Sequence, residues 1–138
     1  MLILVICGCS QDVQTSIDDV TDILDREYDV YLDAYLRSDI PEARDALIRT
    51  LNILETLDPD FFGYAHAKWL VYARLHYVER RAENATMETI YFQHAKYWFM
   101  RRIEARGMKP EDLVTELDTY TPERSLQVVN EWDSPGSK

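Results

Sequence analysis

Apolar residues return along this chain every three or four positions, with polar residues between them, which is the period of amphipathic helices. A first stripe runs Ile17, Val20, Leu24, Tyr28, Tyr31, Tyr35 and stops at Ser38. Thr15 or Ser16 would cap it, with acidic residues in the first turn, where the helix dipole favours them. Asp39-Ile40-Pro41-Glu42 reads as the next helix start: Asp39 caps, Pro41 sits in the first turn and Glu42 reaches back. That second helix carries Ala43, Ala46, Leu47, Thr50, Leu51, Leu54 and Leu57 until Asp58-Pro59-Asp60 breaks it.

A third helix is predicted from about Phe62 to Ala82, with Ala65, Trp69, Leu70, Val71, Tyr72, Ala73, Leu75 and Val78 on almost every side. A helix apolar nearly all round belongs in the centre of the fold. Asn84-Ala85-Thr86 makes the turn and caps a fourth helix, about Met87 to Arg106, whose face is Tyr91, Phe92, Ala95, Trp98, Phe99 and Ile103. Gly107 is placed to stop it. Shorter helical pieces follow near Pro110–Leu117 and Pro122–Trp132, and residues 134–138 read as a flexible tail.

With four Gly and five Pro in 138 residues, the chain lacks the turn residues that an all-β domain needs. The predicted fold is therefore all-α: two antiparallel helical hairpins plus short C-terminal helices, forming one domain over residues 16–133. A domain of this size buries enough surface to need neither disulfide nor metal.

The formal net charge of −10, with 25 acidic against 15 basic residues, argues against nucleic acid as a partner. The charge is segregated: 14 acidic against 4 basic residues over 11–60, 4 against 8 over 61–106, and 7 against 3 over 107–138. The simplest reading is that these segments complement one another within the fold.

The first ten residues, MLILVICGCS, form an apolar run too short to cross a bilayer and closed by small residues. Ile6-Cys7-Gly8-Cys9 resembles the lipobox of bacterial lipoproteins: an aliphatic residue, a small residue, Gly, then Cys. The resemblance implies that Cys9 carries a diacylglyceryl group, that residues 1–8 are the end of a removed signal, and that residues 9–15 are a tether. It places the domain on the periplasmic or cell-surface side of a bacterial membrane. A buried N-terminal segment with two thiols is the alternative. A Cys-Gly-Cys metal site would lack a third cysteine.

Ser38-Asp39-Ile40-Pro41-Glu42-Ala43 is similar to the turn and first Ala of helix B in tetratricopeptide-type repeats, and Leu57-Asp58-Pro59-Asp60 to the stretch that closes one repeat. That resemblance implies an array of helical hairpins with a binding groove. A plain helical bundle is the alternative.

No catalytic pattern emerges. His66, His76 and His94 stand in no His-Glu-x-x-His or Glu-x-x-His arrangement, and there is no Gly-rich phosphate loop or Gly-x-Ser-x-Gly elbow. Neither cofactor nor metal is expected. Asp18, Asp22, Asp25, Asp29 and Asp33 do line one helical face. Like charges at that spacing oppose the helix slightly. The row is read as solvated, as paired with Arg74, Arg80, Arg81, Arg101 or Arg102, or as facing a basic partner or divalent cations. The aromatics of helices three and four exceed what one core face needs. Tyr31, Tyr35, Trp69 and Tyr72, with Arg74, are the expected anchors of a groove between helices one and three. The expected function is non-enzymatic: a membrane-anchored scaffold that binds a protein partner. The alternatives are a ligand-binding accessory of a transporter, a small helical enzyme, and a cytosolic helical regulator.

Overall fold

The computed structural model describes residues 9–61, 63–102, 106–109, 111–119, 121, 123 and 124, with side chains from Asp19 onward except those of Val114, Asp118 and Thr119. The segments expected to be a signal remnant (1–8) and a tail (134–138) lie outside these, as do Ile103 and most of 122–132. Among the described residues there are helices and no strands: α1 Cys9–Leu36, α2 Ile40–Leu54, α3 Tyr64–Arg81, α4 Ala85–Phe99 and α5 Asp112–Thr119. The main packing pairs are α1 with α2, α2 with α3, and α3 with α4, so two hairpins lie side by side with α2 and α3 in the middle.

The two hairpin turns are built alike. After α1, the Ser38 N–H donates to Tyr35 O (3.1 Å) and the Asp39 N–H to Ala34 O (2.8 Å). After α3, Glu83 donates to Arg80 O (3.1 Å) and Asn84 to Glu79 O (3.0 Å). This paired closure requires a left-handed residue, supplied by Ser38 (φ +62°) and Glu83 (φ +57°). The next residue at once caps the following helix. Asp39 accepts from the Glu42 N–H (3.2 Å), and Asn84 from the Met87 N–H (3.3 Å).

Three boundaries differ from those predicted by more than two residues. The helix begins at Cys9, so residues 9–15, expected as a tether, are helical. α2 ends at Leu54 rather than near Leu57, although Leu57 still packs on the core. α4 ends at Phe99, seven residues before Arg106, because Arg101 and Arg102 turn back onto the carbonyls of Trp98 and Phe99. Gly107, at φ +83°, bends the chain after that turn and does not terminate α4.

α3 is central, and its sides serve two cores. Val71, Leu75 and Val78 join Tyr31 and Ala34 of α1 and Leu47, Leu51 and Leu54 of α2 in the first. Trp69, Ala73 and Tyr77 join Ala95 and Phe99 of α4 and Leu113 and Leu117 of α5 in the second. Leu113 and Leu117, one turn apart, give the short α5 its apolar face.

Candidate functional site: a cleft between α1 and α3

A cleft of about 250 Å³ opens between the two hairpins. Leu24, Asp25 and Tyr28 of α1 form one wall, Ala67, Leu70, Val71 and Arg74 of α3 the other, and Leu47, Thr50 and Leu54 of α2 complete it. The polar atom of Thr50 is already engaged, since its hydroxyl donates to Ala46 O (2.9 Å). The interior is thus apolar, and charge enters only from Asp25 on one wall and Arg74 on the other. The Arg74 guanidinium lies over the Tyr28 ring, 4.5 Å from its centroid, which links the two walls.

The groove expected between helices one and three therefore exists, but most of its expected anchors do not line it. Tyr31 and Tyr35 are buried in the first core. Burial pushes the Tyr31 hydroxyl pKa far up, and among the described residues its oxygen has no hydrogen-bond partner. Tyr35 donates to Glu123 (3.2 Å) and lies beneath the Arg81 guanidinium. Trp69 is fully buried on the opposite side of α3, against Phe99 and under Arg102. Tyr72 is half-buried and stacks on His94 at 4.7 Å. Of the five residues, only Arg74 lines the cleft. Leu24, Tyr28 and Leu70 supply the apolar contact instead, and their i, i+4 and i, i+3 spacings around Arg74 and Asp25 are what signals them in the sequence.

The aspartate row stands in solvent. Asp22, Asp25, Asp29 and Asp33 are all exposed, and the Asp18 side chain lies outside the described residues. The arginines considered as partners are engaged elsewhere. Arg80 bonds Glu88 (2.9 Å), and Arg81 bonds Tyr35 O and Ser38 Oγ. Arg101 lies over Tyr97, and Arg102 over Trp69 and Phe99. Asp33 pairs with Arg37 of its own helix at 2.8 Å. Among the described residues no three His, Cys, Asp or Glu side chains could together hold a metal ion.

Two of the buried polar groups that sequence reasoning does not foresee lie along α3 beside its aromatic rings. Lys68, 4% exposed, has its ammonium 5.5–5.8 Å from the ring centroids of Tyr64, Tyr72 and Trp98, with the Glu55 carboxylate at 3.5 Å. Three aromatic faces around a cation make a cation cage, here filled by the chain's own lysine. His76 is the other. Its Nδ1–H donates to Glu88 O (3.1 Å), which leaves Nε2 to accept from Arg80 (3.2 Å). That is the neutral imidazole, and burial, helped by the Arg80 charge, lowers its pKa. Both are held by the chain's own groups, Lys68 by Glu55 and His76 by Glu88 O and Arg80.

Compared with known protein families, curated proteins and solved structures, the chain matches none. Among the described residues no helix is long and apolar enough to cross a membrane.

Proposed function

We propose that this protein is a non-enzymatic docking module that takes an apolar side chain of a protein partner into the α1/α3 cleft. The observation that carries this reading is the cleft itself: an apolar interior between two helices, with one carboxylate and one guanidinium on facing walls. Its volume falls below the roughly 300–1,000 Å³ of sites that enclose a drug-sized molecule, so it suits a side chain better than a whole small ligand. Arg74 packs on the Tyr28 ring across the cleft, and a surface formed before binding limits the ordering cost of binding.

The lipobox likeness supports a second element of the same proposal. Cys9, the first residue of α1, carries a lipid and holds the module at the outer side of a bacterial membrane. α1 has 28 residues against 15 in α2, so its hairpin partner cannot cover its whole length. At 1.5 Å per residue it spans about 42 Å, and its N-terminal turns would form a stalk.

A photocrosslinking residue in place of Leu70, in the full chain in its own cell, tests the docking role. The expected result is one dominant protein adduct, absent when the same residue replaces the exposed Gln93 of α4. Equal labelling at both positions, or none at Leu70, would overturn it. A small molecule retained through purification and displaced by Leu70→Glu would favour a ligand-binding accessory instead.

A further inference from the structure

We infer that the segment received by the cleft is a basic amphipathic helix, seated with its apolar stripe in the cleft and its lysines or arginines over α1. The inference rests on the docking role proposed above and adds the chemistry of the partner.

The first argument is charge. Asp22, Asp25 and Asp29 follow one another at steps of three and four, all exposed, and no ion pair among the described residues engages their carboxylates. Asp25 also forms part of the cleft wall, so the acidic ridge and the apolar interior are one continuous surface. A segment that lowers its apolar side into the cleft brings its flank within reach of this ridge. Cations on that flank gain attraction that no ion pair among the described residues already supplies. The same ridge repels phosphate and a second copy's acidic face.

Backbone chemistry supplies the second argument. An extended peptide binds strongly where a sheet edge offers main-chain hydrogen bonds, and both walls of this cleft are helices whose backbone groups are bonded internally. A helix satisfies its own backbone and needs only side-chain contacts, the groove mode of recognition.

The third argument is asymmetry. Acid lies on the α1 wall and Arg74 on the α3 wall, so lysines of the bound helix are favoured over α1.

Fluorescence anisotropy of the full chain with three labelled helical peptides tests this. One carries a leucine stripe flanked by lysines, one the same stripe flanked by glutamates, and one the lysine peptide's composition scrambled so that no stripe forms. The lysine-flanked peptide should bind at least about tenfold more tightly than either of the others, with affinity that falls as salt rises. The triple variant Asp22→Asn, Asp25→Asn, Asp29→Asn should lose most of that preference and its salt dependence, and Leu70→Glu should abolish binding. If the lysine and glutamate peptides bind alike and both are lost with Leu70→Glu, the basic partner is refuted and the cleft's docking role stands. If the scrambled peptide binds equally, or Leu70→Glu changes nothing, the attraction is charge alone and both readings fall. Failure of all three peptides to bind refutes the basic helix, leaving crosslinking at Leu70 to decide the cleft.

Discussion

Arg44 of α2 forks onto the carboxylate of Glu79 in α3: its Nε and Nη2 reach the two oxygens, the second at 3.2 Å. Glu79 is 1% exposed, so its charge is stable inside the fold only because this guanidinium meets it. The pair joins the two hairpins at the helix shared by both cores. Arg44→Met should leave a buried carboxylate unpaired and destabilise the protein by about 3 kcal/mol, at the lower end of the cost of breaking such a pair because Arg44 is partly exposed. The double variant Arg44→Met, Glu79→Leu should recover most of that loss. Urea denaturation of the single and double variants checks this, and losses that simply add would contradict it.

Much of the fold is legible in the sequence because the cues are local. Asp39 and Asn84 are N-cap residues by type, and both accept the expected backbone N–H. The central place of α3 follows from its all-round apolarity. What that same apolarity cannot show is which neighbour each side meets: Trp69, which its aromatic character groups with Tyr31 and Tyr35, faces α4 and α5. Charged residues are assigned to the surface by their usual habit, which hides Glu79 and Lys68. The end of α4 was obscured because apolar periodicity continues to Ile103 while the backbone already turns at Phe99.

Glu83 holds a left-handed backbone (φ +57°) at the end of α3, where glycine is the usual residue. Its side chain is exposed. Glu83→Gly should relieve the conformational cost and stabilise the protein by about 0.5–1 kcal/mol, less than the full left-handed penalty because glycine also loosens the unfolded chain. A rise in the urea midpoint at unchanged slope is the expected signature. Ser38→Gly should gain less, since Ser38 Oγ also accepts from Arg81 (2.6 Å).

His76 makes stability depend on pH. Its folded pKa lies below the ordinary 6.5, so below 6.5 the unfolded chain binds more protons at this site than the folded one. The stability contributed by the neutral, hydrogen-bonded ring is complete above that value and declines as pH falls through the window beneath it. Denaturation midpoints measured between pH 7.5 and 5.5 should fall for the natural chain and change less in His76→Gln. Equal slopes for the two would show that another group controls the dependence.

The aspartate row should be expendable for folding. Asp22, Asp25 and Asp29 are exposed and lie on one helix face at spacings where like charges repel. Replacing all three by Asn should leave the helical circular dichroism unchanged and stabilise the chain by up to a few tenths of a kcal/mol per removed repulsion, with the gain shrinking in high salt. A large loss of stability would mean that these carboxylates bond inside the fold.

Anchoring is the last expectation, and it depends on a single thiol. If Cys9 receives two or more acyl chains, each buried methylene contributes about 0.8 kcal/mol, and attachment becomes stable where one chain alone would be marginal. Among the described residues no helix is long and apolar enough to cross a bilayer. Cys9→Ser, expressed from a start that preserves a complete export signal, should move the protein from the membrane fraction to the soluble one. Labelling with a fatty-acid analogue should mark the natural chain and not the variant. Cys7→Ser provides the control, since the lipobox resemblance assigns the lipid to Cys9 alone and tolerates a small residue at position 7. Membrane association that survives Cys9→Ser, or lipid labelling that disappears with Cys7→Ser while Cys9 is intact, would refute the assignment.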